Sequence, residues 1–159
     1  ERRLSEVLVP DDPFFACTHG IDHNFNLSRT APGVSVGAAT VYPAAVLKGK
    51  HLQMTVLTDF PCMQIYTANF LSGADTLKDG RLPCQYGAIC FETQHFPDSP
   101  NKPHFPSTVL RPGEIYTQTC IYTFGIENDE VKQHRKILRI FDYIGIMHFN
   151  LYEKIKITK

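Results

Sequence analysis

The chain has 159 residues, of which 43% are hydrophobic and 20% are charged, and sixteen basic side chains balance sixteen acidic ones. This length predicts a single globular domain with its own core, and the composition excludes a disordered chain. The zero net charge gives no positive field for nucleic acid, and no apolar stretch approaches the roughly 18 residues that a membrane-spanning helix needs. We therefore expect neither a nucleic-acid nor a membrane partner.

Short runs of β-forming residues, separated by glycine and proline, occupy most of the chain up to Phe124. In the clearest of them Leu52, Met54 and Val56 alternate with more polar neighbours, which is the period of a half-buried strand. Residues 96–112 contain five prolines and predict an irregular connection. The predicted strands are 34–36, 39–42, 51–58, 62–67, 86–93 and 113–124. This pattern predicts an all-β sandwich of antiparallel strands.

The last part of the chain differs from the rest in charge. Residues 129–159 carry seven basic and four acidic side chains, whereas the preceding part is net acidic. Residues 130–141 contain good helix formers after an acidic start, and residues 144–157 alternate more like a strand. We therefore divide the chain into a β-domain at 1–126 and an atypical basic tail at 127–159, in which we expect a helix.

Five cysteines are scattered along the chain without a CxxC pair. They are Cys17, Cys62, Cys84, Cys90 and Cys120. An odd number without paired spacing argues against a disulfide framework and against a zinc site, so we expect reduced cysteines that serve as small hydrophobic side chains. Reduced cysteines are typical of a cytoplasmic protein.

Residues 20–27 place Asp22 and Asn24 between apolar positions. One interpretation is a turn, because Gly, Asp and Asn favour turns through bonds from the side chain to the backbone. The other is a carboxylate in a pocket that accepts hydrogen bonds from sugar hydroxyls, with Asn24 supporting the backbone. The residues of this segment leave both open.

Two further segments carry polar groups on predicted strands. Gln64 shares a strand face with Tyr66, and Asn69 follows shortly after, which fits either an ordinary amphipathic strand or an amide that binds a ligand. Glu92 ends an apolar strand, where it either reaches solvent or acts as a general base in a pocket. Residue type alone does not separate these alternatives.

Taken together, four segments resemble the aldose 1-epimerases, also called galactose mutarotases. The segments are GIDHNFNL at 20–27, MQIYTANF at 63–70, FETQHFPDSPN at 91–101 and the run from Phe105 to Tyr116. They occur in the order of the family and cover about residues 18–125. The resemblance implies a β-supersandwich, of which this chain is similar to the C-terminal part.

The resemblance also implies an activity, namely cofactor-free interconversion of the α and β anomers of aldohexoses such as galactose and glucose. In the family a Glu removes the proton of the C1 hydroxyl, and a His protonates the ring oxygen. By motif Glu92 is the base, Asp22 and Gln64 hold the sugar hydroxyls, and Asn24 and Asn69 support them. No metal is implied, and the partner is the aldohexose.

The chain departs from the family pattern in three ways. The acid His of the family belongs to an N-terminal half, so we expect a fragment with little activity alone, which pairs with that half or with an oligomeric partner. Cys62 and Ala68 replace family glycines, and we expect strain at Cys62 if its glycine had a positive φ. The tail after Phe124 matches nothing in the family.

Two alternatives remain. A non-catalytic carbohydrate-binding module or remnant of the same fold would use Asp22, Gln64 and Glu92 to bind hydroxyls without opening the ring. A hexose-6-phosphate epimerase would need a basic phosphate pocket, for which Arg29 and Arg111 are the scattered candidates together with Lys102. The acidic balance of the β-domain disfavours the phosphate enzyme.

Overall fold

The computed structural model describes residues 2–8, 12–73, 75–126 and 154–157, and these residues form two antiparallel sheets with very little helix. The strands are β1 (Arg2–Arg3), β2 (Asp22–Asn26), β3 (Val34–Val36), β4 (Ala39–Lys48), β5 (Leu52–Thr58), β6 (Cys62–Tyr66), β7 (Cys90–Gln94), β8 (Cys120–Ile126) and β9 (Lys154–Ile157). The one α-helix of the described part is α1 (Leu4–Val7), and 3-10 turns lie at Pro13–Phe15 and Ser99–Asn101. The predicted all-β class is confirmed.

The larger sheet has the order β1-β9-β4-β5-β8, with β3 also paired to β4, and the smaller sheet has the order β2-β6-β7. The inner faces of both sheets contribute to one core. Its buried members include Leu47, Met54 and Val56 from the larger sheet and Met63, Ile65 and Phe91 from the smaller one. Because strand side chains alternate between faces, filling this core fixes which residues of each strand point away from it.

The predicted strands at 34–36, 51–58 and 62–67 are confirmed nearly to the residue. The strand predicted at 39–42 continues to Lys48, because a bulge between Pro43 and Ala45 accommodates the proline within the strand. Residues 22–26 form β2, so the interpretation of this segment as a turn is wrong. The reason is tertiary, since β2 pairs along its whole length with β6.

Two predicted strands are shorter than expected. Tyr86 has a positive φ of 59° and lies in a turn, so the strand predicted at 86–93 begins only at Cys90. Residues 113–119 lie outside any strand, although the Thr119 carbonyl accepts from the Asp59 N–H at 3.2 Å, and the last described strand of this part starts at Cys120. The helix predicted at 130–141 lies outside the described residues. Within 144–157, the backbone of Lys154–Ile157 pairs with β4 and β1. The domain division at residue 126 stays a prediction.

The described helices include none that is long and apolar enough to cross a membrane.

Candidate active site

The smaller sheet brings four of the predicted site residues onto one face. Its register places Asn24 opposite Gln64, and Gln64 opposite Glu92, so these residues form a row across all three strands. Asp22 lies two residues before Asn24 and therefore points to the same side. The intervening residues Met63, Ile65 and Phe91 fill the core on the opposite side. The polar groups are therefore on the outer face because the core takes their neighbours.

Asp22 and Gln64 are joined directly. The amide Nε2 of Gln64 donates a hydrogen bond of 2.7 Å to Oδ1 of Asp22, and both side chains are half-buried. This bond uses one amide hydrogen and one carboxylate lone pair, so the carbonyl oxygen of Gln64 and the second oxygen of Asp22 keep their capacity to accept. The pair can thus present two acceptors in a fixed arrangement to the hydroxyl groups of a ligand.

Glu92 lies across from Gln64 and is also half-buried. Its carboxylate has no hydrogen bond to any residue in the described ranges, so it is available to a ligand. Its negative charge affects the pKa of two neighbouring side chains. Burial raises the pKa of the Cys90 thiol, and the negative charge of Glu92 raises it further. Burial likewise raises the pKa of Tyr122, with Glu92 among the smaller causes.

These side chains line a groove of about 430 Å³. Its lining residues are Asp22, Gln64, Tyr66, Phe70, Glu92 and Gln94. Tyr66 and Gln94 were not predicted as site residues, although each lies two positions after a predicted one on the same strand, a signal that the alternation of strand faces provides. Phe70 lies beyond the end of β6, and periodicity alone gives no signal for it.

Asn24 has a different contact from the one expected. We predicted that it would support the backbone, whereas its Oδ1 accepts a 3.0 Å hydrogen bond from Nε2 of Gln94. Gln94 lies on the groove side of β7 and reaches across to Asn24. Asn24 therefore orients another groove side chain.

Asn69 fixes the backbone that leads into β2. Its side chain is buried, its Nδ2 donates to the carbonyl oxygen of Ile21 at 2.9 Å, and its Oδ1 accepts from the Thr67 hydroxyl at 2.5 Å. The same hydroxyl accepts from the backbone N–H of Ile21 at 3.0 Å. Gly20 packs so closely that a Cβ there would lie 2.3 Å from Oδ1 of Asn69. Because Asp22 directly follows Ile21, this buried network holds Asp22 at the groove.

Three residues other than glycine have a positive φ near the Asp22 end of the smaller sheet. They are His19 (56°), Ala68 (54°) and Tyr86 (59°). They are linked, because the Tyr86 hydroxyl donates to the carbonyl oxygen of His19, and the Tyr86 N–H donates to that of Ala68 at 3.1 Å. The strain that we expected at Cys62 is absent, because Cys62 lies in extended β6. It is Ala68 that occupies the left-handed conformation, as glycine would more easily.

No histidine lines this groove among the described residues. His23 lies on the opposite face of β2 from Asp22 and stacks on Phe14 with ring centroids 4.1 Å apart. His95 contacts Phe60, and His19 touches the edge of Phe70 at the groove mouth with centroids 5.8 Å apart. The described residues also contain no group of His, Cys, Asp or Glu that would hold a metal ion.

The fold and the groove define a class of protein. A β-sandwich carries, on the outer face of one sheet, two carboxylates and two amides that are suited to hydroxyl groups, beside the aromatic side chains of Tyr66 and Phe70. Such a combination is suited to carbohydrate binding.

Comparison with known proteins gives the family. The family model described as "Aldose 1-epimerase" matches residues 3–123. The chain is 41% identical over 108 residues to galactose mutarotase of Mus musculus, covering 68% of this chain and 30% of that protein. It is 37% identical over 126 residues to aldose 1-epimerase of Escherichia coli (strain K12), covering 77% of this chain and 34% of the relative. The chain belongs to the aldose 1-epimerase family.

The chain thus spans about a third of the length of the curated relatives that it matches. The family resemblance drawn from the four sequence segments is confirmed.

Proposed function

We propose that this chain binds an aldohexose, such as galactose or glucose, in the groove of the smaller sheet and contributes the base of an aldose 1-epimerase site. Glu92 is the base, and Asp22 and Gln64 hold sugar hydroxyls. The observation that carries the proposal is the pairing of β2, β6 and β7, which brings Asp22, Gln64 and Glu92 from distant parts of the sequence to one groove. The groove volume of about 430 Å³ lies within the range of small-molecule sites.

The chemistry follows from the acceptor groups. Glu92 takes the proton from the C1 hydroxyl while an acid protonates the ring oxygen, and the C1–O5 bond breaks to give the open aldehyde. Rotation about C1–C2 and closure from the other face, with the protons returned, gives the other anomer. General acid–base assistance of this kind contributes about 10²–10⁴-fold. No cofactor takes part in the proposed reaction.

The acid is not among the groove residues described here, since none of them is a histidine. We propose that it comes from a further part of the protein or from an oligomeric partner. The 159-residue chain by itself should accordingly bind sugar but accelerate mutarotation little.

A binding experiment tests the site. Titration of galactose followed by NMR should show binding by the chain, and Glu92→Gln should weaken it about tenfold, because a hydrogen bond to a charged group contributes about 1.5–3 kcal/mol. Glu114→Gln is the matched control, since Glu114 is exposed and outside the groove. Equal affinity of the two variants would contradict the proposed site.

Polarimetry on fresh α-galactose tests the role of Glu92 as base. Imidazole buffer can supply the missing acid, so it should raise the protein-dependent rate for the unchanged chain and not for Glu92→Gln at the same buffer concentration. Strong acceleration without imidazole that Glu92→Gln abolishes would show that the chain holds its own acid and would contradict the proposed low activity.

The second candidate is a non-catalytic carbohydrate-binding module, which the absence of histidine from the groove lining favours. In that case galactose would bind, and imidazole would accelerate the reaction equally with and without Glu92. A phosphorylated hexose has less support. The described residues that line the groove include no basic side chain, and the Arg29 guanidinium donates instead to the carbonyl oxygens of Asp59 and Phe60.

We also propose a cytoplasmic location, which the five free cysteines support, because exposed thiols such as those of Cys17 and Cys84 persist in reducing compartments. Fractionation of cells that produce the protein would test this, and recovery only from a secreted fraction would contradict it.

A further inference from the structure

The His23 side chain is held firmly on the face of β2 opposite the groove. Its ring stacks on Phe14 with a centroid separation of 4.1 Å and an interplanar angle of 16°, and it meets the edge of Phe15 at 6.0 Å. The Phe14 ring also meets the edge of Phe15 with centroids 5.2 Å apart, and the backbone N–H of Phe14 donates to the Asp12 carboxylate at 2.9 Å. The imidazole therefore has a defined position although it is only half-buried.

The ring makes a polar contact with the neighbouring residue. The backbone N–H of Asp22 donates to Nδ1 of His23 at 3.1 Å. A nitrogen that accepts a hydrogen bond carries no proton, so this contact requires a neutral imidazole with its hydrogen on Nε2. The residue that receives this support is the one whose carboxylate accepts from Gln64 in the groove.

We propose that neutral His23 is the positioning residue for Asp22, and that its protonation weakens sugar binding in the groove. This inference rests on the proposed role of Asp22 in holding the sugar. Protonation turns Nδ1 into a donor that faces the N–H donor of Asp22, so this contact is lost and the Asp22 backbone is held less firmly, although the Asn69 network still holds Ile21. The change reaches the groove through the backbone of Asp22. The position of this backbone determines whether the Asp22 carboxylate can accept the hydrogen bond from Gln64.

The described elements next to the ring carry few charged side chains. Asp12 lies at the start of the 3-10 turn that carries Phe14, and Asp22 lies on the same strand as His23. Of the residues of β6 on this face, Ile65 is paired with His23 and Met63 is two positions away, and both are uncharged. Among the described residues of these elements, Asp12 and Asp22 are therefore the charged side chains nearest to the ring along the chain.

The first test uses the unchanged chain. NMR gives the midpoint of the His23 ring titration, the chemical shift of the Asp22 amide in the sugar-free protein and the affinity for galactose across the same pH range. We expect the Asp22 amide to shift with the midpoint of His23, and the affinity to fall about three- to tenfold as the ring is protonated, which is the effect of one hydrogen bond. An amide and an affinity that do not follow His23 would overturn the proposal.

Two substitutions distinguish the effect of the hydrogen-bond acceptor of His23 from the effect of its aromatic ring. His23→Asn places an amide oxygen near the position of Nδ1, so it should keep affinity within about twofold and remove the part of the pH dependence that follows His23. His23→Phe keeps a flat ring against Phe14 without an acceptor, so it should weaken binding about three- to tenfold at every pH. His51→Asn, at an exposed position, is the control and should change neither.

The titration of the unchanged chain requires no substitution, so it tests the proposal even if a variant folds poorly. Equal affinity for His23→Phe and His23→Asn in folded protein would overturn the proposal. If the unchanged chain binds no galactose at any pH, the proposed function fails for this chain, while the response of the Asp22 amide still decides the role of His23.

Discussion

Strands β5 and β6 follow each other in the chain and send alternate residues into the same core, yet their outer faces have different chemistry. Each outer face carries a glutamine. Nε2 of Gln53 in β5 donates to Oγ1 of Thr55 on its own strand at 3.3 Å, whereas Nε2 of Gln64 in β6 donates across the sheet to Asp22 at 2.7 Å. The difference comes from the neighbouring strands, because β6 lies between two strands that carry carboxylates and β5 does not.

This comparison separates the part of each strand that builds the fold from the part that builds the site. The inner faces of both strands carry buried apolar side chains, namely Met54 and Val56 in β5 and Met63 and Ile65 in β6. The outer face of the smaller sheet brings polar groups from three strands to one groove. Substitutions on the two faces should therefore have different consequences, from loss of the fold to loss of affinity alone.

The largest effect is expected at the core that both sheets share. Ile65 is fully buried, so Ile65→Ala should lower the free energy of unfolding by about 2–5 kcal/mol through lost burial and a cavity. Leu57→Ala on the half-exposed outer face of β5 should cost clearly less. Urea denaturation measures both, and similar losses would contradict the assignment of inner and outer faces.

The second effect concerns the turn that leads into β2. Gly20→Ala would bring a Cβ to 2.3 Å from Oδ1 of Asn69 at a φ of +153°, so we expect a loss of about 2–4 kcal/mol in stability and weaker sugar binding. Gly37→Ala has open space around it at a φ of +61° and should cost only about 1 kcal/mol. Thermal unfolding compares them, and equal losses would mean that the Asn69 network does not constrain this turn.

The third effect tests the two glutamines directly. Gln64→Ala removes the donor to Asp22 and should weaken galactose binding about tenfold, while stability changes little. Gln53→Ala removes a contact within β5 and should leave the affinity within about twofold. Calorimetric titration with galactose provides the measurement. Equal affinities of these variants would break the distinction between the two outer faces.

The smallest effect appears at alkaline pH. Burial raises the pKa of the Cys120 thiol above its value of 9.0, although hydrogen bonds partly oppose this. The folded state therefore holds this proton more tightly than the unfolded state, so the stability that it contributes is present below about pH 8.5–9 and is lost as the pH rises towards the higher folded pKa.

Stability measured from pH 8 to 10 should accordingly decline less steeply in Cys120→Ala than in Cys17→Ala, whose thiol is exposed. Identical slopes would show that the thiol of Cys120 is not shielded.

Much of this architecture could be predicted from the sequence. The alternation of Leu52, Met54 and Val56 identified β5, and the motif around Glu92 identified the groove strand β7, because a period of two residues and a local motif are properties of short segments. Of the two interpretations of residues 22–26, the turn that Asp and Asn favour locally is wrong, because pairing with β6 outweighs that preference.

Other features of the site had no signal in any single segment. Phe70 joins the groove from beyond the end of β6, and Asn24 contacts Gln94 across the sheet. The left-handed conformation at Ala68 rather than Cys62 likewise depends on where β6 ends. Each of these depends on which strands are neighbours.

The sequence by itself determined the all-β class, the alternation of the main strands and the membership of the aldose 1-epimerase family, because these follow from local patterns and motifs. Only the tertiary structure decided that Asp22 bonds to Gln64, that Glu92 shares their groove and that His23 supports Asp22 from the opposite face. The physical reason is that strand register is chosen by burying the inner faces together, and this choice brings outer side chains from distant segments into contact.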